Sequence, residues 1–461
     1  MSAHAASRLP AVDAVPVAGT VPVAGTVPVA DALPTTDALP GTAVVPAPAS
    51  VLPGGGVVVG TLPGGARPVV ARGAGSHIWD TDGREYVDCL LGSGPLVLGH
   101  AHPEVVEAVV RQVSLGSTFY ALNEPILQLA AKLVEHVPCA ELVQFCASGA
   151  EATHYALRIA RAATGRDLVV KFEGAFHGSN DYALMSYAPD GTAAFPEPAP
   201  DSAGIPASVR GDVLIAPFND LAAVERLLEE HGSRIAAVIA EPYQRVIPPR
   251  PGFLEGLRSL TRRHGSVLVF DEIVTGFRFG LAGAQGRYGV IPDLACYGKV
   301  IGGGYPLAAV AGSCALLELA AHARKGADDF VYLSGTLNGN PVAAVAGLAT
   351  IAVLERPGSF ERLFEVGAQV REGIAAGLAR AGVAGQVLGE GPLFQIALTT
   401  AEARDYRSLL AADAETAARI AAGAVERGVF TTGYKGYLSL AHDAADVAFV
   451  VDAFASAAQA L

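Results

Sequence analysis

Lysine is nearly absent from this chain of 461 residues: there are five, Lys132, Lys171, Lys299, Lys325 and Lys435, against twenty-seven arginines. Cations that merely solvate the surface are therefore arginines. A lysine held among glycines after an apolar strand points to something arginine cannot do. Arginine stays protonated, whereas a desolvated lysine can shed its proton and attack a carbonyl. A basic excess is missing too. The formal net charge is −13, which excludes the basic surface that nucleic acid requires. The five cysteines (Cys89, Cys139, Cys146, Cys296, Cys314) are an odd number with no C-x-x-C spacing. That argues against structural zinc and fits a reducing compartment. Cys146 and Cys296 stand in apolar surroundings and read as buried, inert thiols. No stretch of about 20 residues is apolar and free of glycine, proline and charge. The N-terminus lacks a basic segment followed by a compact apolar one. Neither a membrane span nor a signal peptide is expected, and the chain reads as cytoplasmic. Neither G-x-G-x-x-G nor G-x-x-x-x-G-K occurs, which argues against a nucleotide-dependent enzyme.

Composition divides the chain. Val15-Pro16-Val17-Ala18-Gly19-Thr20 recurs at Val21-Pro22-Val23-Ala24-Gly25-Thr26 and then decays. Proline at this density blocks helices and sheet interiors, so residues 1–50 are expected to be an extended, disordered arm. From about residue 51 the pattern is globular. Residues 51–100 are expected to contribute to a smaller domain, 101–345 to form a large domain, and 346–461 to close the small one. His77 to Asp88 reads as a hairpin with an Asp82-Gly83 turn. Helical spacing runs over 103–116 and 151–165. Short apolar runs at 167–172, 212–216, 235–240 and 266–270 are bounded by turns. Such alternation implies right-handed βαβ units and a mostly parallel sheet. An alanine-rich helical stretch is expected from Pro341 to about Arg380, and a last helix from about Ala444.

Four segments carry the chemistry. Cys146-Ala147-Ser148-Gly149-Ala150-Glu151 turns from strand to helix, where exposed amides and the helix dipole favour an anion; Ser148 there is equally an ordinary helix cap. Phe176 and His177 follow a strand between small residues, and an aromatic so placed can stack on a planar ring; both also suit a core and a loop. Asp271 ends the apolar run Val267-Leu268-Val269-Phe270, at the sheet edge where ligands bind in parallel sheets, and is equally suited to cap a helix; Glu272 beside it reads as structural. Gly298-Lys299-Val300-Ile301-Gly302-Gly303-Gly304 holds the lysine, and Ser334-Gly335-Thr336 follows it with a hydroxyl and an amide. A lysine able to form a Schiff base and an upstream aspartate able to protonate a pyridine nitrogen together suggest pyridoxal phosphate.

These segments, in this order, resemble the class III aminotransferases, pyridoxal-phosphate enzymes of fold type I, and most closely the branch containing glutamate-semialdehyde aminomutase. Further matching segments are Leu98-Gly99-His100-Ala101-His102-Pro103, Pro251 to Arg258, Gly276-Phe277-Arg278 and Gly339-Asn340-Pro341. The resemblance implies an α/β fold with a mostly parallel seven-stranded sheet and a smaller α+β domain. It implies that Lys299 bonds the cofactor and shuttles the proton, and that Asp271 pairs with the ring nitrogen. Ile273 would pack under the ring and Phe176, commonly tyrosine in the family, above it, with His177 in the same segment. Ser148, Gly149 and Ala150 would hold the phosphate, joined by Thr336 of a second copy in a homodimer. Ala150 replaces a threonine, so one side-chain contact is lost.

Three departures separate the chain from the aminomutase. The arginine expected near Pro53-Gly54-Gly55 is missing. Tyr434-Lys435-Gly436-Tyr437 stands where the aminomutase carries a glutamate. Gly92-Ser93 replaces a Ser-Trp pair. Glutamate semialdehyde is therefore not the expected substrate. The loop after Glu241-Pro242 is also short, and Gln244 is read as the substitute for an asparagine that bonds the cofactor's ring oxygen. Arg245 is a candidate for a substrate carboxylate or for an ion pair. Ser93, Tyr120, Lys435 and Tyr437 are further pocket candidates by position. The resulting reading is an aminotransferase with ping-pong kinetics, passing an amino group from a small-molecule donor to a keto or aldehyde acceptor through pyridoxamine phosphate, in specialised metabolism. An aminomutase or amino-acid epimerase, which releases no keto product, and an inactive scaffold tethered by the arm are the alternatives. No metal, nucleic acid or membrane enters the reading.

Overall fold

A computed structural model describes residues 62–461 apart from 66, 67, 190, 192 and 434. The expected arm over 1–50, the segment 53–61 and Tyr434 lie outside the described residues.

Seven strands form the central sheet: β4 (Leu142–Cys146), β5 (Leu168–Phe172), β6 (Val213–Ala216), β7 (Ile235–Ala240), β8 (Val267–Asp271), β9 (Leu294–Tyr297) and β10 (Ala308–Gly312). Their order is β4-β10-β9-β8-β7-β5-β6. The run from β9 to β6 is parallel, and β10 enters antiparallel between β9 and β4. The fold is therefore α/β with a mostly parallel sheet. Successive side chains on a strand point to opposite faces, and both faces here are covered. Val170, Val238, Leu268, Phe270 and Ala295 build one core; Val169, Ile239, Val269, Cys296 and Val310 build the other. Uninterrupted apolar runs are what such doubly covered strands require. Cys146 and Cys296 are fully buried, and burial raises both thiols, Cys146 to about 12.

Between strands, helices start and stop on local signals. Ser148 caps the helix Gly149–Thr164 by accepting from the Glu151 amide, and Gly165 ends it at a left-handed φ of 64°. The alanine-rich stretch is two helices rather than one, Pro341–Leu354 and Ser359–Arg380, which meet at 81°. Pro357 and Gly358, the latter at φ 89°, interrupt it, since proline lacks the donor that would continue the helix. Among the described residues no single helix is long and apolar enough to cross a membrane.

Outside this sheet, β1 (Val70–Ala74), β2 (His77–Asp80) and β3 (Glu85–Asp88) pair with β13 (Val429–Phe430), and β11 (Gln386–Leu388), β12 (Leu393–Ala397) and β14 (Gly436–Tyr437) form a three-stranded sheet. The expected hairpin is β2 against β3. Val87, Cys89, Val366, Val370, Phe394, Ile420 and Phe454 share a separate core, so residues before 100 pack with residues after 359.

Candidate active site

Strand order brings the four segments together at the carboxyl edge of the parallel strands. Asp271 is the last residue of β8 and 5% exposed. Its Oδ2 lies 2.8 Å from Nδ1 of the buried His177, and its Oδ1 accepts the Ile273 amide at 3.1 Å. By strand alternation it shares its face with Val267 and Val269, the face covered by the helix that begins at Gly149. Ile273 then lies between two backbone segments. A Cβ built on Gly149 would come within 3.1 Å of the Ile273 side chain, and one on Gly298 within 3.0 Å. Glycine at both positions is what allows the close approach. His177 and Ala150 are joined in the same way: a Cβ on Gly178 would meet Ala150 at 2.5 Å, and Thr153 Oγ1 donates to the His177 carbonyl at 2.5 Å.

Lys299 follows β9 in a left-handed conformation, φ 47°, an uncommon state for a residue with a Cβ and one tolerated where the surroundings impose it. Its Nζ makes no hydrogen bond among the described residues. Burial lowers the Lys299 amine below its ordinary value, and the nearby cations Lys435 and Arg278 add to that lowering. Lys435 is itself brought to about 8, first by burial and then by Arg245 and Arg278, against the pull of Glu241 and Asp271. Arg278 is wholly buried and brought down to about 10 by that burial. It donates from Nε to the Val274 carbonyl at 2.8 Å and from Nη2 to the Gly94 carbonyl, and its guanidinium lies 5.2 Å over the Tyr437 ring. Its Nη1 has no partner among the described residues. The sequence marks Arg278 only as part of the Gly276-Phe277-Arg278 segment; an arginine seven residues past a strand end carries no local mark of where it will turn.

The remaining candidates separate. Gln244 is fully buried; its Nε2 donates to the Glu173 carbonyl at 2.7 Å and its Oε1 is left unpaired among the described residues. Phe176 is half exposed, with its amide on Glu241 Oε1 at 2.9 Å. Arg245 forms no ion pair among the described residues and is turned toward the loop after β5: Nε donates to the Gly174 carbonyl at 2.7 Å and Nη2 to the Tyr187 carbonyl at 2.9 Å, between the rings of Tyr187 and Tyr406. Carbonyls, not a carboxylate, occupy those donors. Tyr437 is buried against Leu91, Tyr243 and Leu393. Ser93, Tyr120 and Thr336 are exposed, and Tyr120 and Thr336 make no hydrogen bond among the described residues. Glu272 is structural: its carboxylate takes bonds from Thr275, the Ala284 and Gln285 amides and the Gln285 side chain.

A buried lysine amine beside a strand-end carboxylate, under a helix start with free amides, matches one known family over most of the chain: residues 64–439 fit the model of aminotransferase class III. The chain belongs to the class III aminotransferase family. It is a pyridoxal-phosphate-dependent enzyme of fold type I. A glutamate-1-semialdehyde 2,1-aminomutase from Roseiflexus castenholzii is 42% identical over 404 residues, 86% of this chain and 91% of the relative. The crystal structure of an omega-transaminase from Sphaerobacter thermophilus superposes with a TM-score of 0.84 at 39% identity, over 89% of this chain and 94% of that one. A glutamate-1-semialdehyde aminomutase from Pseudomonas aeruginosa in complex with pyridoxamine phosphate gives 0.78 at 30% identity, over 87% and 89%.

The residues present fit the cofactor. An aspartate held by a buried histidine suits a protonated ring nitrogen. The unpaired Gln244 Oε1 is an acceptor suited to a hydroxyl. The amides of Gly149 and Ala150 have no partner among the described residues and stand at the positive end of a 16-residue helix. A side chain at Gly149 or Gly298 would press on Ile273, the residue whose apolar face suits a planar ring.

Proposed function

We propose that this enzyme is a transaminase working by a ping-pong mechanism: it takes the amino group of a donor, releases the keto product, and delivers the amine to a keto or aldehyde acceptor. Bound pyridoxal phosphate would supply an aldehyde that joins to amines and a protonated ring that draws electrons from the substrate carbon. The chain's own groups divide the remaining work. Lys299 Nζ, with its proton made easy to lose, acts as nucleophile and then carries the proton. Asp271, oriented by His177 and the Ile273 amide, would face the ring nitrogen. Ile273 and Phe176 would confine the ring, and the Gln244 Oε1 would accept from its hydroxyl. Ser148 and the Gly149 and Ala150 amides hold the phosphate. Charge-assisted bonds of this kind contribute about 1.5–3 kcal/mol each, so loss of one threonine hydroxyl at Ala150 is tolerable.

A second copy of the chain completes the site in this reading. Thr336 is exposed, as is Leu337 beside it; Val110, Phe119 and Leu122 are further exposed large apolar side chains, and Asn123 Nδ2 donates to the Gly339 carbonyl at 2.9 Å, which ties their stretch of chain to the one that carries Thr336. An apolar surface of this kind is what a homodimer covers.

The observation that carries the transaminase reading over the aminomutase one is Lys435. A cation within reach of Lys299 and Asp271 occupies the segment where the aminomutase has a carboxylate, and glutamate semialdehyde loses its expected gate. The opposite reading, an aminomutase that releases no keto product, has the curated relatives in its favour; an epimerase shares that outcome. The test is the absorption spectrum of the purified enzyme with a panel of amino donors beginning with L-glutamate and L-alanine. Conversion of the lysine-bound cofactor band to that of pyridoxamine phosphate, with free keto acid in solution, supports the transaminase. A persistent band with no keto product from any donor overturns it in favour of the aminomutase or epimerase.

A further inference from the structure

Among the described residues Lys171 is the one lysine that is fully buried, at 1% exposure, and the chemistry above makes no use of it. It lies on β5, one strand face away from Val170 and Phe172, and beneath the irregular segment 174–188. That segment carries Phe176 and His177 but contains no helix or strand of its own. It is nevertheless buried at Ala175, His177, Ala183, Met185 and Ser186. Backbone groups taken out of water without a helix or sheet to pair them must find other partners.

Charged side chains supply those partners. Lys171 Nζ donates to the carbonyls of Ala175 at 3.3 Å, Ala183 at 2.7 Å and Met185 at 2.5 Å. Glu241 takes the Phe176 amide, Asp201 takes the amides of Tyr187 and Ala188, and Arg245 holds the carbonyls of Gly174 and Tyr187. An ammonium has three donors and no acceptor, and here all three are matched by carbonyls from opposite ends of the loop. Arginine could not replace it: its donors lie in a planar fork, not around a point. Burial pushes the Lys171 amine down to about 7, while Asp201 and Glu241 support its charge and Arg245 opposes it. A group so costly to bury stays where the bonds it makes are needed.

We infer that Lys171 is a positioning residue: its ammonium gathers the Ala175, Ala183 and Met185 carbonyls and thereby sets Phe176 and His177 against the cofactor ring and Asp271. This rests on the placement of Phe176 and His177 at the ring proposed above. Removing the three bonds frees the loop without touching the cofactor, so the ring is bound in less regular orientation and leaves faster.

The test compares wild-type holoenzyme with Lys171→Met by hydrogen exchange over residues 174–188, by visible circular dichroism of the bound cofactor, and by the rate of cofactor release into a large excess of competing apoprotein. The expected result is faster exchange confined to that segment, a weakened visible dichroic band and release about tenfold faster, since water compensates for much of the loss of the charge-assisted bonds. Lys171→Gln, which keeps two N–H donors, should fall between the two and carries the test if the methionine variant does not fold. Unchanged exchange overturns the inference. Faster exchange with unaltered dichroism and release also overturns it, because Lys171 then only holds a loop. Failure of the underlying functional reading is seen separately, as a wild-type enzyme that binds no cofactor at its lysine.

Discussion

His177 and Asp271 meet below the surface, ring Nδ1 to carboxylate Oδ2 at 2.8 Å, although 94 residues separate them in sequence. The contact ties the loop after β5 to the end of β8, two strands that are not neighbours because β7 lies between them. It leaves one carboxylate oxygen bonded to imidazole and the other to the Ile273 amide. In the proposed reading, a carboxylate so oriented would meet the ring nitrogen of bound cofactor and let the ring draw electrons.

Asp271→Asn should therefore bind cofactor and turn over poorly. Removing one preorganised charge from a water-excluded site lowers kcat by about 10²–10³. Steady-state kinetics on cofactor-saturated protein checks this; a variant within a few-fold of wild type would remove Asp271 from the chemistry. His177→Gln should show a smaller loss in the same direction.

Lys299→Ala should retain cofactor without covalent attachment. Borohydride treatment, followed by mass spectrometry of the intact chain, should add the mass of the reduced cofactor to wild type and not to the variant. Labelling that persists at Lys435 would transfer the nucleophile's role to the second lysine of the site.

The cations around Lys299 predict a pH effect with a definite sign. Burial is the main reason its amine is lowered, and Lys435 lowers it further. Lys435→Met removes that contribution, so the Lys299 amine value rises and a higher pH is needed for the neutral form. The acid limb of cofactor attachment to apoprotein, measured as rate against pH, should move to higher pH in the variant. A shift to lower pH, or none, would show that the two amines do not sense each other.

Gly178→Ala should damage both the fold and the phosphate site. The position has φ 92°, and the added carbon would sit 2.5 Å from the Ala150 Cα. Strain and overpacking of this kind cost about 1–3 kcal/mol each. Thermal unfolding should show a lower Tm, and cofactor titration a weaker affinity, because Ala150 can relax only by shifting the helix start.

Thr336→Ala and Leu337→Asp separate the two aspects of the proposed dimer. The first should weaken cofactor binding about tenfold, one charge-assisted bond, with the dimer intact. The second should shift sedimentation toward monomer and lose cofactor with it. A wild-type monomer that holds cofactor tightly would end the second-copy reading of Thr336.

Most of the elements were legible because their causes are local. Apolar runs bounded by turns marked β5 to β8 to within a residue or two, since strands covered on both faces need no polar alternation. Ser148 marked a helix start for the same reason, and in the structure Asn340 caps another by accepting from the Ala343 amide. Local reading failed where neighbours decide. β10 is a short run of small residues, Ala308 to Gly312, that becomes a strand because β4 and β9 offer edges on either side. The break at Pro357-Gly358 was submerged in an alanine-rich background.

By itself the sequence determined most of the elements, the cofactor class, and Lys299 and Asp271 as the residues to examine, because each of these is written in spacing within a few dozen residues. Tertiary structure alone decided what the polar side chains on the loops would face. Arg245 turned to two carbonyls, Arg278 went inward beneath Tyr437, and Lys171 gathered three carbonyls. A hydrogen bond acts over about 3 Å, and which group stands at that distance depends on strand order and loop closure, which no local pattern encodes.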